Sequence, residues 1–303
     1  MLLYPIHVES GVVISLSRHM TLPNFIVIGA PKAGTTALAR YISDHRDGFV
    51  AKAKEVHFFD RDAKFARGVS WYVAQFDGYQ GERAVGDATP GYMYSREAID
   101  RMAELLPEVR LIATLRHPVD RAYSQYWSNR SRGGENRSFD EAMAADTTSN
   151  TQLIKGFNRA YAGRSRYISH LDYVCERFDR AQMLVLLFEE TRADPIGTYG
   201  RVCRFLDIDD THTPPSVGQP FGHHRDFRSV RLQERLVRTR KIPRRYLRPL
   251  MNANTRHTAY PSLTPEERRR YGEMFRDDNA ALESWLGRDL APWNAEPPSS
   301  SEV

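Results

Sequence analysis

Short runs of β-branched and aliphatic residues alternate along the chain with longer stretches whose apolar positions recur every three to four residues. Phe25–Gly29, Arg83–Gly86, Leu111–Leu115 and Met183–Phe188 are of the first kind and predict strands. Leu38–His45, Ser95–Leu106, Val119–Arg132, Arg166–Phe178 and Pro195–Leu206 are of the second kind and predict helices. Strands interleaved with helices predict an α/β fold, a central parallel sheet flanked by helices in a single domain. Residues 1–20 carry no sustained period and read as an irregular N-terminal extension, and 21–295 read as the folded domain. The Pro- and Ser-rich end, 296–303, reads as a disordered tail.

Ligands of such sheets sit at the carboxyl ends of the strands, and three constellations fall there. The first is Phe25-Ile-Val-Ile-Gly29-Ala-Pro-Lys32-Ala-Gly34-Thr35-Thr36. It predicts a strand, a tight loop and a helix start, where backbone N–H groups and the helix dipole attract an anion. A nucleoside-triphosphate loop needs Gly-Lys-Ser/Thr at its end. Here Thr35 occupies the lysine position and the cation sits inside the loop at Lys32, which favours another activated anion. A strand–turn–helix with incidental Gly and Lys is the alternative.

The second constellation runs from Leu111 through Arg116-His117-Pro118 to Ser124. Pro118 favours the first turn of a helix, so Arg116 ends the strand at the sheet edge and Ser124 lies one to two turns into the helix. A guanidinium fork with a hydroxyl suits a phosphate; the alternative pairs Arg116 with Asp120. Arg121 reads as a solvated side chain. The third is Lys54-Glu55-Val-His57-Phe-Phe-Asp60, where a carboxylate and an imidazole precede two aromatics. That is an acid/base pair beside an apolar wall, or a Lys54–Glu55 surface pair beside a satisfied histidine.

Composition narrows the function further. The chain of 303 residues is 41% hydrophobic and 27% charged, an ordinary globular balance. No apolar run reaches the roughly 18–20 residues of a membrane span, and the start lacks a signal-peptide pattern. Cys175 and Cys203 are too few for a disulfide scaffold or a four-cysteine metal site. A reducing, cytoplasmic setting is therefore expected. A net charge of +5 comes from 37 Arg and 6 Lys against 38 acidic residues. No nucleic-acid-binding motif accompanies it, so an anionic small substrate is expected and nucleic acid is not. The segment 225–248 concentrates ten Arg/Lys against Asp226 and Glu234, with Arg228, Arg231, Arg235 and Arg238 on one helical face. It reads as a closure over a nucleotide with Arg228 in contact, as a docking strip for an anionic acceptor or membrane surface, or as a solvated basic helix. His223-His224 lacks a third ligand at metal spacing and reads as a loop pair.

Together these motifs resemble the sulfotransferases that use 3′-phosphoadenosine 5′-phosphosulfate (PAPS). Pro31-Lys-Ala-Gly-Thr-Thr36 resembles their 5′-phosphosulfate loop, and the strand–loop–helix with Arg116 and Ser124 their 3′-phosphate site. Lys54-Glu-Val-His-Phe-Phe-Asp60 is similar to a segment of the heparan sulfate N- and 3-O-sulfotransferases. Gly163-Arg-Ser-Arg-Tyr167, Leu184-Val-Leu-Leu-Phe-Glu189, Arg204-Phe-Leu-Asp207 and Leu286-Gly-Arg-Asp-Leu290 resemble that branch in order. The resemblance covers residues 23–293 and implies a role for each matching position. Lys32 would contact the transferred group and the bridging oxygen, and Ala33, Gly34, Thr35 and Thr36 would cradle the 5′-phosphate. Arg116 and Ser124 would hold the 3′-phosphate, and Glu55 would be the general base. His57 and Asp60, with Thr89, would support the base or orient the acceptor. PAPS would be the cosubstrate and 3′,5′-adenosine bisphosphate the product, with no metal required.

The expected reaction is sulfuryl transfer to a hydroxyl or amine of a carbohydrate, glycolipid or natural product. Where the heparan enzymes read Glu-Lys-Thr-Pro-Ser-Tyr, this chain reads Asp87-Ala-Thr-Pro-Gly-Tyr92. Ala88 thus replaces a lysine that engages the acceptor in that branch, and heparan sulfate is not the expected acceptor. The competing readings are a small-molecule kinase with a divergent P-loop and a nonenzymatic nucleotide- or polyanion-binding protein.

Overall fold

The computed structural model describes residues 21–53, 55–145, 159–219, 226–227, 229, 232, 235–236, 244–256, 260–290 and 293. Residues 1–20, Lys54, His223-His224, Arg228 and 296–303 lie outside these. Contacts group the chain into two compact units, one of residues 1–116 and 169–220 and the other of 117–168 and 221–303.

The first unit holds five parallel strands: β1 (Phe25–Gly29), β2 (Gly48–Val50), β3 (Ala84–Ala88), β4 (Arg110–Leu115) and β5 (Met183–Leu187). Their order is β2-β3-β1-β4-β5. The chain therefore passes from β1 to the edge strand β2, returns inward to β3, and then crosses to the other side of β1 for β4 and β5, so the order reverses at β1, where such sheets bind ligands. β1 is buried throughout, as its unbroken Phe-Ile-Val-Ile run requires of a strand covered on both faces. Its Phe25 pairs with Gly86 of β3. A Cβ at position 86 would stand 2.1 Å from the Phe25 ring, so only glycine fits that crossing.

Four of the predicted strands are present, and β2 is an additional one. The helix after β1 spans Thr35–Ser43, because Gly34 supplies its N-cap in a left-handed conformation four residues before the buried Leu38. The Arg96–Leu105 helix is capped by the Ser95 side chain, which accepts from the Ala98 N–H. In the predicted Arg166–Phe178 helix, only Ile168–Cys175 is α-helical; Gly163–Ser165 forms a separate 3₁₀ turn.

The second unit is helical, with Pro118–Arg130, Phe139–Ala144, Arg244–Ala253, Pro265–Glu273 and Arg276–Leu286. Val119, Tyr123, Tyr126, Phe139, Tyr161, Tyr271 and Phe275 form its core. Glu135 is buried there between Arg137, at 2.7 Å, and the Tyr161 hydroxyl, at 2.9 Å. Among the described residues no helix is long and apolar enough to cross a membrane.

Candidate active site

Parallel strands bring their carboxyl ends to one edge, and each of the five delivers a candidate group there. Lys32 follows β1, Glu55, His57 and Asp60 follow β2, Thr89 follows β3, Arg116 follows β4 and Phe188 follows β5.

The β1 loop is built to receive an anion. Lys32 and Gly34 both have positive φ, at 75° and 86°. The helix that begins at Thr35 leaves the N–H groups of Thr35, Thr36 and Ala37 without partners inside the helix, and its first turn carries no acidic side chain. Ala33 and Thr35 are buried, and Thr36 is exposed. A Cβ on Gly34 would lie 2.9 Å from the Phe188 ring, so the loop packs against that ring only as glycine. The Arg116 guanidinium lies 4.9 Å from the centre of the same ring and donates to the Lys32 carbonyl at 3.3 Å. A cation at the loop, a guanidinium beside it and a run of backbone donors form a donor set that fits a phosphate-bearing nucleotide. Ser124 is buried on the Pro118–Arg130 helix, in the second unit.

The β2 segment forms a charged chain. His57 Nδ1 lies 2.8 Å from Asp60 Oδ2, and His57 Nε2 lies 3.1 Å from Glu55 Oε2. Side-chain exposure falls from 42% at Glu55 to 16% at His57 and 13% at Asp60. Burial works to lower the His57 pKa, but the hydrogen bonds to Asp60 and Glu55 outweigh it and raise the imidazole above its usual range. Both ring nitrogens face carboxylates, and Glu55 is the member most open to a ligand.

Backbone conformation marks the same residues. Among the described residues, four other than glycine have positive φ: Lys32, Glu55, His57 and Asp207. Asp207 is the C-cap of the Pro195–Leu206 helix, an ordinary place for this conformation. The other three are the side chains singled out from the sequence for chemistry. Left-handed conformations cost non-glycine residues about 1–3 kcal/mol each and concentrate at functional sites.

Behind the segment lies a network the sequence does not announce. Asp87 is fully buried on β3 and accepts from the hydroxyls of Thr89 at 2.7 Å, Tyr92 at 2.9 Å and Tyr72 at 3.2 Å. Burial pushes its carboxyl up to about 6, against the pull of those hydrogen bonds. Thr89 is itself fully buried, one layer behind His57. An aspartate within an otherwise apolar strand, Ala84-Val-Gly-Asp87-Ala88, is the one local sign of this site.

One expectation changes. Arg121 is not solvated: it is fully buried and donates to Ser165 Oγ at 2.7 Å and to the Tyr161 carbonyl. Its helix is buried on nearly every side, so no polar face remains to receive it. Asp120, the alternative partner of Arg116, is engaged by Arg268 at 2.8 Å.

The sulfotransferase domain family matches residues 22–283, across both units. The chain belongs to the sulfotransferase domain family. Heparan sulfate glucosamine 3-O-sulfotransferase 3B1 of Homo sapiens is 28% identical over 269 residues, 89% of this chain and 64% of that protein. Bifunctional heparan sulfate N-deacetylase/N-sulfotransferase 3 of Homo sapiens is 27% identical over 285 residues, 90% of this chain and 31% of that protein. The chain thus spans less than two thirds of the length of these relatives. A solved sulfotransferase from Alicyclobacillus acidocaldarius is similar in structure, with a TM-score of 0.69 at 26% identity, over 91% of this chain and 100% of that one. Membership in the sulfotransferase family accords with the loop after β1, whose cation precedes the helix rather than entering it. Among the described residues, no group of three or more His, Cys, Asp or Glu is placed to hold a metal ion.

Proposed function

We propose that this chain is a PAPS-dependent sulfotransferase acting on a hydroxyl or amine of a carbohydrate, glycolipid or natural product. The observation that carries this reading is the Glu55–His57–Asp60 chain at the same sheet edge as the Lys32 loop, with Lys32, Glu55 and His57 all in left-handed backbone. Bound PAPS supplies the activated sulfuryl group. The N–H groups of Ala33, Gly34, Thr35 and Thr36 would cradle its 5′-phosphate, and Arg116 would pair with its 3′-phosphate. The assignment of Ser124 to that phosphate, and of Arg228 to the nucleotide, rests on the sequence alone.

Glu55 takes the acceptor proton. Its exposed carboxylate can reach an acceptor, whereas both His57 nitrogens are engaged by carboxylates. Asp60 fixes the His57 ring, and His57 orients Glu55, so the base is held before the acceptor arrives. Lys32 places a cation where negative charge grows on the departing phosphate oxygen. The 225–248 strip is our candidate for contact with an anionic surface, and Leu232, Tyr246 and Leu250 in or beside it are exposed.

Ligand-dependent melting tests the reading. 3′,5′-Adenosine bisphosphate should stabilise the protein and AMP much less, and labelled PAPS should pass label to members of an acceptor panel. Stabilisation by ATP–magnesium but not by the bisphosphate would replace this reading with a kinase. Stabilisation by heparin alone would replace it with a polyanion-binding protein.

A further inference from the structure

We propose that Asp87 is a positioning residue that, in its ionised form, fixes the backbone of the Glu55–Phe58 segment through the hydroxyls of Thr89 and Tyr92. The inference rests on the reading of Glu55 as the base. Each of the two hydroxyls bridges Asp87 to that segment. Thr89 Oγ1 donates to Asp87 Oδ1 at 2.7 Å and accepts from the His57 N–H at 3.4 Å. The Tyr92 hydroxyl donates to Asp87 Oδ2 at 2.9 Å and accepts from the Phe58 N–H at 2.9 Å. A third hydroxyl, that of Tyr72, donates to Oδ2, and the Tyr72 ring stacks on Phe58 at 4.5 Å with planes 9° apart. Lys64 Nζ completes the frame by donating to the Val56 carbonyl.

The direction of these bonds depends on the charge of Asp87. A hydroxyl owns one proton. While Asp87 is a carboxylate it accepts from all three hydroxyls, so Thr89 and Tyr92 turn lone pairs toward the two N–H groups. A neutral acid or an amide would present a donor to one side. The hydroxyl on that side would then have to rotate its proton away from Asp87, toward an N–H that also donates. The left-handed conformations at Glu55 and His57, which need support from their surroundings, would lose part of it. Glu55 and His57 would then leave the geometry described above.

The titratable groups facing Asp87 are few. Burial and the Asp87 charge push Tyr72 and Tyr92 well above the usual phenol range. The His57 imidazole lowers the Asp87 pKa, and the Asp87 carboxylate raises that of Lys64, which burial otherwise depresses. Asp60 also acts on Tyr92. In this frame burial pushes the Asp87 carboxyl up to about 6, whereas the hydrogen bonds to Asp60 and Glu55 hold the His57 imidazole above its usual range, and substitution at Asp87 separates the two groups.

The test is amide hydrogen exchange on the full chain without ligand, with turnover measured alongside. In Asp87→Asn the His57 and Phe58 amides should exchange about tenfold faster or more, the loss expected when a charge-assisted hydrogen-bond frame is broken. Turnover should fall at least comparably while affinity for 3′,5′-adenosine bisphosphate changes by less than about twofold. Wild-type protection, corrected for intrinsic exchange, should drop as pH falls through about 6, and Asp87→Asn should lack that drop. Tyr92→Phe should release the Phe58 amide even if Asp87→Asn fails to fold. Wild-type exchange at these amides in a folded variant, or a pH break that persists in Asp87→Asn, would overturn the assignment. A wild-type protein that transfers no sulfuryl group would instead remove the proposed function and leave the exchange result standing.

Discussion

Replacing Gly34 by alanine should damage the anion loop by two separable routes. The residue has φ 86° and ψ 5°, a left-handed conformation that costs an L-residue about 1–2 kcal/mol. Its new Cβ would also meet two Phe188 ring carbons, at 2.9 and 3.3 Å. Phe188 is only partly buried and can yield, so the overlap should add about 1 kcal/mol, the low end for overpacking. The ring that yields is the one beneath Arg116, so the guanidinium moves with it. The total, about 2–3 kcal/mol, corresponds to roughly 5–10 °C in melting temperature for a unit of this size. Gly287→Ala supplies the control: φ is 64° and ψ 28°, with no heavy atom within 4 Å of the new Cβ, so it should cost the backbone term alone. Thermal unfolding and calorimetry with 3′,5′-adenosine bisphosphate measure both effects. Gly34→Ala should melt below Gly287→Ala and bind the nucleotide at least about tenfold more weakly, a loss of roughly 1.4 kcal/mol. A folded Gly34→Ala protein with wild-type affinity would refute the placement of the nucleotide at this loop.

Three further outcomes follow from the same geometry. Lys32→Ala should relieve a left-handed lysine of its charge without disturbing the core, leaving the melting temperature nearly unchanged while turnover falls sharply; near-normal turnover would exclude Lys32 from the leaving group. Arg116→Ala should weaken binding of 3′,5′-adenosine bisphosphate by roughly tenfold or more while AMP binding barely changes, since one charge-assisted hydrogen bond is worth about 1.5–3 kcal/mol; equal losses for both nucleotides by calorimetry would reject the 3′-phosphate assignment. For Glu135, burial alone would raise the carboxyl, but hydrogen bonds from Arg137 and Tyr161 bring it from 4.5 to about 2. The folded pKa is thus depressed, and the stabilisation, about 3 kcal/mol, is present above pH 4.5 and lost as pH falls toward 2. The stability gap between wild type and Glu135→Gln, read from denaturant unfolding, should close across that window, and a constant gap would contradict it.

The parts of the fold legible in the sequence are those whose signal is local and continuous. Phe25–Gly29 and Leu111–Leu115 are unbroken apolar runs, which a strand covered on both faces requires. β2 escaped because Gly48–Val50 is three residues long and opens with glycine, too short for any period to register. The Glu55–His57–Asp60 chain was legible for a related reason: its members lie within six residues, so spacing alone brings them together. Asp87 was not, because its partners come from 15 residues upstream at Tyr72 and from the turn after β3, and only the folded chain joins them. Arg121 was misplaced because the Pro118–Arg130 helix has no solvent face to separate polar from apolar positions. A periodicity argument needs such a face.

In the proposed reaction the Glu55 carboxylate removes the acceptor proton during sulfuryl transfer. Single-turnover kinetics of Glu55→Gln with labelled PAPS tests it most directly, because the amide keeps the shape and removes the basicity. Glu55→Gln should lose about 10²–10⁴ in the transfer rate, with unchanged affinity for 3′,5′-adenosine bisphosphate and a smaller loss in His57→Ala. Transfer at the wild-type rate in Glu55→Gln, with His57→Ala inactive, would contradict it and exchange the two roles.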